Sequence, residues 1–425
     1  MMPFIFTPRT YFHFDHPVAA SYAEQLASDP RAVAQHAFFP FVRYTLITQK
    51  IRKRADGGVE LCKPKKRPIA YASHKDAHIF SHYSSLLVER YEAELKARGL
   101  QQVVTAFRSL DRKRNIHFAN EVFEAIRTVG ECSVLATDIS DYFGQINHQF
   151  LKMAWCQLQG VERLPPDHFK VFTAITKYAM VDRERLCRVL KLDPESPRAD
   201  GRRRYCTPKE FRDVVRGNGL VAVNRTGVGI PQGSPISALL SNLYLLEFDT
   251  TMNAAVAAGG GLYRRYCDDI LIMMPTLEQR QVVQNLAIRL LTELGLVAHP
   301  DKTEILEFKR DGDRLTTAKP LNYLGFTFDG ENKRIRPASV ARYYKKMKRG
   351  VGRAKAIRYR VCKNEGAWTP LRRRKLHILY SYLGRHNFLS YAFTAAKVMN
   401  DPGIKKQVKA HWKRLQQLIN PPEQL

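Results

Sequence analysis

Residues 262–274 read LYRRYCDDILIMM. Two short apolar arms, LYRRY and ILIMM, flank a polar CDD tip, the pattern of a β-hairpin. Its tip carries Asp268 and Asp269 side by side. Adjacent carboxylates repel one another, so the pair is costly unless a cation is present. Taken alone, a DD pair is more often a solvated acidic turn. Working outward, CSVLATDI at 132–139 is a compact apolar run bounded by polar residues, as a buried strand should be, and Asp138 ends it. Three carboxylates at one sheet edge suit Mg²⁺, which takes oxygen ligands and completes its shell with water and phosphate. Two such ions about 3.5–4 Å apart stabilise the attacking and leaving oxygens of an in-line phosphoryl transfer.

The charge of the chain points to the same chemistry. Among 425 residues, 69 Lys plus Arg face 40 acidic residues, a formal charge of +29. Such an excess opposes compaction through self-repulsion unless a polyanion neutralises it, and nucleic acid is the expected partner. The excess is uneven: residues 331–425 hold 24 Lys plus Arg against 4 acidic residues, +20 of the total. An anionic lipid surface is the weaker alternative, because the charge is not gathered on one amphipathic helix or beside an apolar anchor. No apolar run approaches the roughly 18 residues of a membrane span, and the N-terminal MMPFIFTPRTYFHFDH has no signal-peptide pattern. The expectation is a cytoplasmic protein without a membrane partner. Seven single cysteines, none in a CxxC pair, read as reduced thiols.

Periodicity gives a coarse map. Residues 20–55 read as helical, RADGGVE (54–60) as a turn between short strands, and KPKKRPIAYAS (63–73) as a basic stretch turning into a strand. Ser73 caps a helix running to about residue 99, with Asp76 at the capping-box position. Residues 150–180 read as helical and 190–216 as an exposed basic loop. GVGIPQGSPIS (227–237) leads into one long apolar helix over 236–258, which GGG at 259–261 ends. A helix over 280–295, a loop bearing Lys302, a strand pair around NYLGFTF (322–328) and a basic helical tail follow.

Taken in order, TDISDYFGQINH (137–148), GVGIPQGSPIS and YCDD (266–269) resemble motifs A, B and C of reverse transcriptases. LGLVAHPDKTEI (294–305) is similar to motif D and NYLGFTF to the primer grip, motif E. KPKKRPIAYAS and VVTAFRSLDRKRN (103–115) resemble two finger motifs. The resemblance spans roughly residues 40–330, and the basic tail matches a thumb by position and composition. It implies an α+β right-hand fold: fingers over 1–130 with a further piece at about 151–222, a palm of small antiparallel sheet and helices at 131–150 and 223–330, and a helical thumb over 331–425.

The resemblance also implies roles. Asp138, Asp268 and Asp269 are the catalytic set and ligands of two Mg²⁺ ions. Phe143, five residues after Asp138, stands at the steric gate, where an aromatic ring clashes with a ribose 2′-OH and so favours dNTP substrates. Gln232 and Gly233 approach nucleotide or template. Lys302 is a general acid for pyrophosphate, or a surface lysine. Arg67 contacts triphosphate, with Lys63, Lys65 and Arg108 as helpers; each of these is equally readable as a solvated cation. His74, His78 and His82 share one helical face, but no cysteine or carboxylate partner is evident, so a metal reading is set aside. Tyr343, Tyr344, Tyr380, Tyr382, Trp368 and Trp412 read as helix-bundle core rather than base-stacking surfaces.

No HNH, integrase, protease or RNase H segment and no NAxxH or VTG retron signature is found. The chain most resembles the defence-associated reverse transcriptases of bacteria, class 2 in particular, with wider kinship to group II intron and retron-type enzymes. That resemblance implies cDNA synthesis on a structured non-coding RNA template in antiphage defence, with no obligatory protein partner. An RNA-dependent RNA polymerase and a non-catalytic RNA-binding scaffold are the alternatives.

Overall fold

A computed structural model describes residues 4–49, 51–53, 58–61, 63–198, 201–366 and 368–420. Cys62 and turn residues 54–57 lie outside them, as do 199 and 200 of the basic loop. In chain order the strands are β1 (Phe41–Thr48), β2 (Ile51–Lys53), β3 (Val59–Leu61), β4 (Lys65–Tyr71), β5 (Cys132–Asp138), β6 (Ala179–Asp182), β7 (Val221–Val223), β8 (Leu262–Tyr266), β9 (Asp269–Met274), β10 (Glu304–Asp311), β11 (Arg314–Thr316), β12 (Leu321–Tyr323), β13 (Phe326–Phe328) and β14 (Lys333–Ile335). Helices surround them, giving the expected mixed α+β class.

The central sheet runs β11-β10-β5-β9-β8, with every pairing antiparallel. Its inner strands β5 and β9 are near-continuous apolar runs because both their faces are covered. Leu135, Ile270, Ile272 and Met274 point into one core, shared with helices His74–Ala97 and Leu246–Ala258. Cys132, Val134, Leu271, Met273, Leu306 and Phe308 point into the other, shared with helix Asn115–Val129 and the C-terminal helices. A second sheet, β4-β1-β6-β7, gathers strands from before β5 and from well after it. Strands β12 to β14 form a third, antiparallel sheet.

Several local expectations need correction. Among its described residues, the stretch read as helical over 20–55 holds helices only at Ala20–Ser28 and Pro30–Gln35, after which FVRYTLIT forms β1; its aromatic and β-branched residues favour the pleated conformation. The stretch read as helical over 150–180 ends not in helix but in the first two residues of β6, Ala179–Asp182. The long apolar helix over 236–258 is two helices, Ser237–Tyr244 and Leu246–Ala258. The 190–216 segment is not a simple exposed loop: Tyr205, Cys206 and Val215 are buried in a core with Phe12 and Phe14. Ser73 does cap its helix, accepting from the Asp76 N–H at 3.2 Å. The Asp76 carboxylate does not close a capping box; it accepts from the Phe39 N–H at 2.8 Å and pairs with His36. A third strand, β14, joins the expected pair around NYLGFTF.

Beyond these sheets the chain is helical and basic. Helix Pro337–Glu365 leads the tail, and its later turns are mostly exposed. Lys333 anchors the tail: its buried ammonium donates to Asn120 Oδ1 at 2.6 Å and to Met399 O at 3.2 Å, and pairs with Glu124. Among the described residues no helix is long and apolar enough to cross a membrane.

Candidate active site

Strand register sets the site. Asp138, the last residue of β5, pairs directly with Asp269, the first of β9. Asp268 occupies the two-residue connection before it, so three carboxylates from distant parts of the sequence share one end of the central sheet. The Ile139 N–H donates to Asp268 O at 3.0 Å, continuing the pairing past the last ladder residue.

Burial raises the Asp268 carboxyl from its ordinary value, and the Asp138 charge raises it further. Burial first, then the charges of Asp268 and Asp138, push Asp269 up to about 7, against the pull of Lys302 and Arg336. A partly desolvated cluster of like charge disfavours its own ionised form. Lys302 is the cation paired with it: Nζ donates to Asp138 Oδ2 at 2.7 Å. The loop that carries Lys302 is fastened to the end of β5, with Ser140 N–H donating to Val297 O at 2.9 Å and His299 N–H to Asp138 O at 2.7 Å.

The donor set suits a hard divalent cation. Among the described residues no group of three His, Cys, Asp or Glu forms a preformed metal cage. Mg²⁺ does not require one, since it binds through one or two carboxylates together with waters and substrate phosphates. Two carboxyls raised by burial and mutual repulsion would be relieved by such a cation.

The 227–237 segment lies against this edge through its backbone. Ile230 N–H donates to Phe143 O at 2.9 Å and Gly229 N–H to Ile146 O at 2.8 Å. The half-buried Phe143 ring packs on the core beside Tyr142. Gly233 has φ 121°, and a Cβ there would stand 2.7 Å from Ala70 O. The glycine is therefore required by close approach to β4 within the chain, which differs from the expected approach to nucleotide or template. Ala70 N–H in turn donates to Gln232 O at 2.9 Å.

Strand β4 carries Lys65 and Arg67 toward the same edge. Burial, Arg67 and Lys302 lower the Lys65 ammonium from its ordinary value, while Asp138 and Asp268 pull it up. Those influences bring Lys65 within electrostatic reach of the carboxylates, although its side chain faces solvent. Lys63 is exposed on the segment just before β4. Arg108 requires a correction. Its guanidinium bonds Glu92 Oε1 at 2.7 Å and Oε2 at 2.5 Å, and also the carbonyls of Gln101 and Val104. Those donors brace the chain and do not face the carboxylates as a triphosphate contact.

The histidine row is structural. His74 pairs with Asp15 at 2.7 Å and stacks on Tyr11, while His78 stacks on Phe6 at 5.0 Å. In the tail, Tyr343 and Tyr380 are buried as expected, but Trp368 and Tyr382 are exposed. Sequence reasoning missed Arg265 and Asp249, a fully buried ion pair behind the hairpin. A signal was present: alternation on β8 turns one of its two adjacent arginines toward the core, and Asp249 lies on a largely apolar helix, so each calls for a buried partner. Arg336, whose charge reaches Asp269, was also missed.

A family model described as reverse transcriptase (RNA-dependent DNA polymerase) matches residues 197–328. Residues 197–328 are thus similar to a reverse-transcriptase domain. The match takes in the PQG turn, the YCDD hairpin, Lys302 and the NYLGFTF strands, and begins after Asp138. That family is described as RNA-dependent DNA polymerases, and the chain's own sheets and helices are of the mixed α+β class. Among solved structures, the chain is similar to apo telomerase from Candida tropicalis truncated from the C-terminal domain, at 11% identity over 74% of this chain and 59% of that one, with a TM-score of 0.43. It is also similar to apo telomerase from the same organism, at 10% identity over 95% of this chain and 65% of that one, again with a TM-score of 0.43. The chain thus spans 59% and 65% of the lengths of those two proteins. No curated protein matches by sequence.

Proposed function

We propose that this protein is an RNA-directed DNA polymerase that makes cDNA on a dedicated structured non-coding RNA, in the bacterial cytoplasm, as part of antiphage defence. The observation that carries the polymerase reading is the in-register pairing of Asp138 with Asp269, with Asp268 beside them at the hairpin tip. In this reading β1 and β4 belong to the fingers, the central sheet to the palm, and residues 331–425 to the thumb.

Asp138, Asp268 and Asp269 would hold two Mg²⁺ ions, whose chemistry is to stabilise the attacking 3′ oxygen and the leaving pyrophosphate oxygen. Lys302, which donates to Asp138, would deliver a proton to the leaving pyrophosphate. Lys65 and Arg67 meet the triphosphate from β4, where the planar guanidinium suits phosphate oxygens. Gln232 and Gly233 keep β4 against the palm. Phe143 excludes a ribose 2′-OH. The tail binds the phosphates of template and product, and the antiphage role and non-coding template rest on the resemblance to defence-associated enzymes.

The test is to purify the protein with its bound nucleic acid, supply Mg²⁺ with labelled dNTPs or NTPs, and compare it with Asp268→Ala, Asp269→Ala. DNA made only by the intact protein supports the reading, and sequencing that DNA identifies the template. Incorporation of NTPs instead would remove the role given to Phe143. No product from a protein holding a discrete RNA would favour a scaffold. Phage plating on cells carrying each form tests the defence role, which fails if the double variant protects equally.

A further inference from the structure

Behind the YCDD hairpin lies a buried polar network that the proposed chemistry does not use. Arg265 is fully buried on β8. Its Nε donates to Asp249 Oδ1 at 2.7 Å and its Nη2 to Asp249 Oδ2 at 2.5 Å. Its Nη1 donates to Asn242 Oδ1 at 3.1 Å and to Cys267 O at 3.0 Å. Asp249 also accepts from the Tyr263 hydroxyl at 2.7 Å. The strand edge around Arg265 is occupied too, since Arg265 N–H donates to Val103 O and Thr105 N–H donates to Arg265 O.

Packing alone does not call for this arrangement. Replacing a buried ion pair by apolar side chains of similar volume is often neutral or stabilising. What an apolar pair lacks is a directed donor, and here that donor reaches the tip of the hairpin. Cys267 has φ 59°, in the left-handed region that a non-glycine residue seldom occupies. Its carbonyl takes a donor from Arg265. Because a peptide is planar, fixing the Cys267 carbonyl fixes the amide that leads into Asp268, one of the two planes that set where its Cα–Cβ bond points. The next carbonyl, Asp268 O, is held by the Ile139 N–H. Both peptide planes flanking Asp268 are therefore pinned, one by Arg265 and one by the residue that follows Asp138.

We infer that Arg265, held by Asp249, is a positioning residue that aims the Asp268 carboxylate. The inference rests on the polymerase reading above. Misplacing a reacting group by about 1 Å can cost roughly 100-fold in rate, and that is the scale expected. Arg265→Lys keeps a cation against Asp249, but a single ammonium cannot span Asp249 and the Cys267 carbonyl at once.

The experiment measures primer extension and thermal unfolding for the full-length protein, Arg265→Lys and Tyr263→Phe. Tyr263→Phe removes a bond to Asp249 and leaves the bond to Cys267 O in place. The expected result is a folded Arg265→Lys with kcat lowered about 100-fold, a KM for dNTP within about threefold of the parent, and a higher Mg²⁺ requirement. Tyr263→Phe should keep its kcat despite a lower Tm. An Arg265→Lys enzyme with the parent's kcat overturns the inference, as does a loss that only follows the folded fraction or is matched by Tyr263→Phe. Should Arg265→Lys fail to fold, Asp249→Asn is measured instead: it loosens the hold on Arg265 while leaving Arg265 itself in place, and a folded Asp249→Asn at the parent's kcat overturns the inference as well. Failure of the parent to make any DNA defeats the polymerase reading instead, so the two failures are distinct.

Discussion

Two regions meet at the carboxylate edge, and they hold their cations in opposite ways. Behind the hairpin, Arg265 and Asp249 are both 0% exposed and joined by two short bonds. On the loop over β5, Lys302 is 38% exposed and makes one bond, to Asp138. The first pair cannot exchange its partner without uncovering a buried charge. The second can give way to a metal ion or a phosphate at little cost, because exposed pairs contribute only about 0–1 kcal/mol. The difference separates a fixed frame beneath Asp268 from an exchangeable contact above Asp138.

The largest effect should come from the frame. Asp249→Ala leaves Arg265 buried without its counter-charge and should destabilise the protein by about 3–5 kcal/mol, read by denaturant unfolding. A change below about 1 kcal/mol would mean that water reaches Arg265, and the contrast would collapse. Next comes the loop. Lys302→Ala should lower the rate of the chemical step about 100-fold while shifting stability by no more than about 1 kcal/mol. Single-turnover extension and melting of the same sample decide it, and a stability loss as large as that of Asp249→Ala would place Lys302 in the frame.

Gly233→Ala probes the join between β4 and the PQG turn. The added Cβ meets Ala70 O at 2.7 Å on a backbone with φ 121°. A loss of about 1–3 kcal/mol is expected, with a raised KM for dNTP as β4 shifts. An unchanged KM would uncouple the turn from Lys65 and Arg67.

A fourth effect is a slope with pH, gradual rather than a single step. The Asp269 carboxyl is raised from 3.8 to about 7 in the folded chain. The native state therefore binds more protons than the unfolded state between those values. Stability of metal-free protein should fall as pH rises through that window, the reverse of an ion-paired carboxylate. Asp269→Asn should flatten this part of the curve, and added Mg²⁺ should restore stability at neutral pH. A flat curve for the parent in EDTA would show the carboxyl to be solvated.

The sequence was most readable where local pattern and tertiary burial agree. The YCDD hairpin and the strand before Asp138 are apolar runs with polar ends, and both lie where that pattern puts them. Residues 41–48 misled because two true helices precede them, although Pro40 directly before them is a break signal. Tyr205 and Cys206 looked exposed among arginines because the residues that cover them, Phe12 and Phe14, lie at the far end of the chain. Arg108 matched its motif by position, yet Glu92 on the preceding helix takes its guanidinium. Gly233 was legible as a required glycine, but the backbone it admits belongs to β4.

The place of β5 in the central sheet has a consequence for biosynthesis. It lies between β9 and β10 and pairs with nothing made before it. Lys302 follows Asp138 by 164 residues. Closing such distant pairings is slow relative to local helix formation. A chain still emerging from the ribosome thus carries Asp138 without its partner carboxylates and without its lysine. Limited proteolysis of chains stalled near residue 250 should find the segment around Asp138 open to cleavage and should find it protected once β10 has emerged. Under the proposed function, a nascent chain leaves nearby RNA uncopied until β9 and the Lys302 loop have emerged.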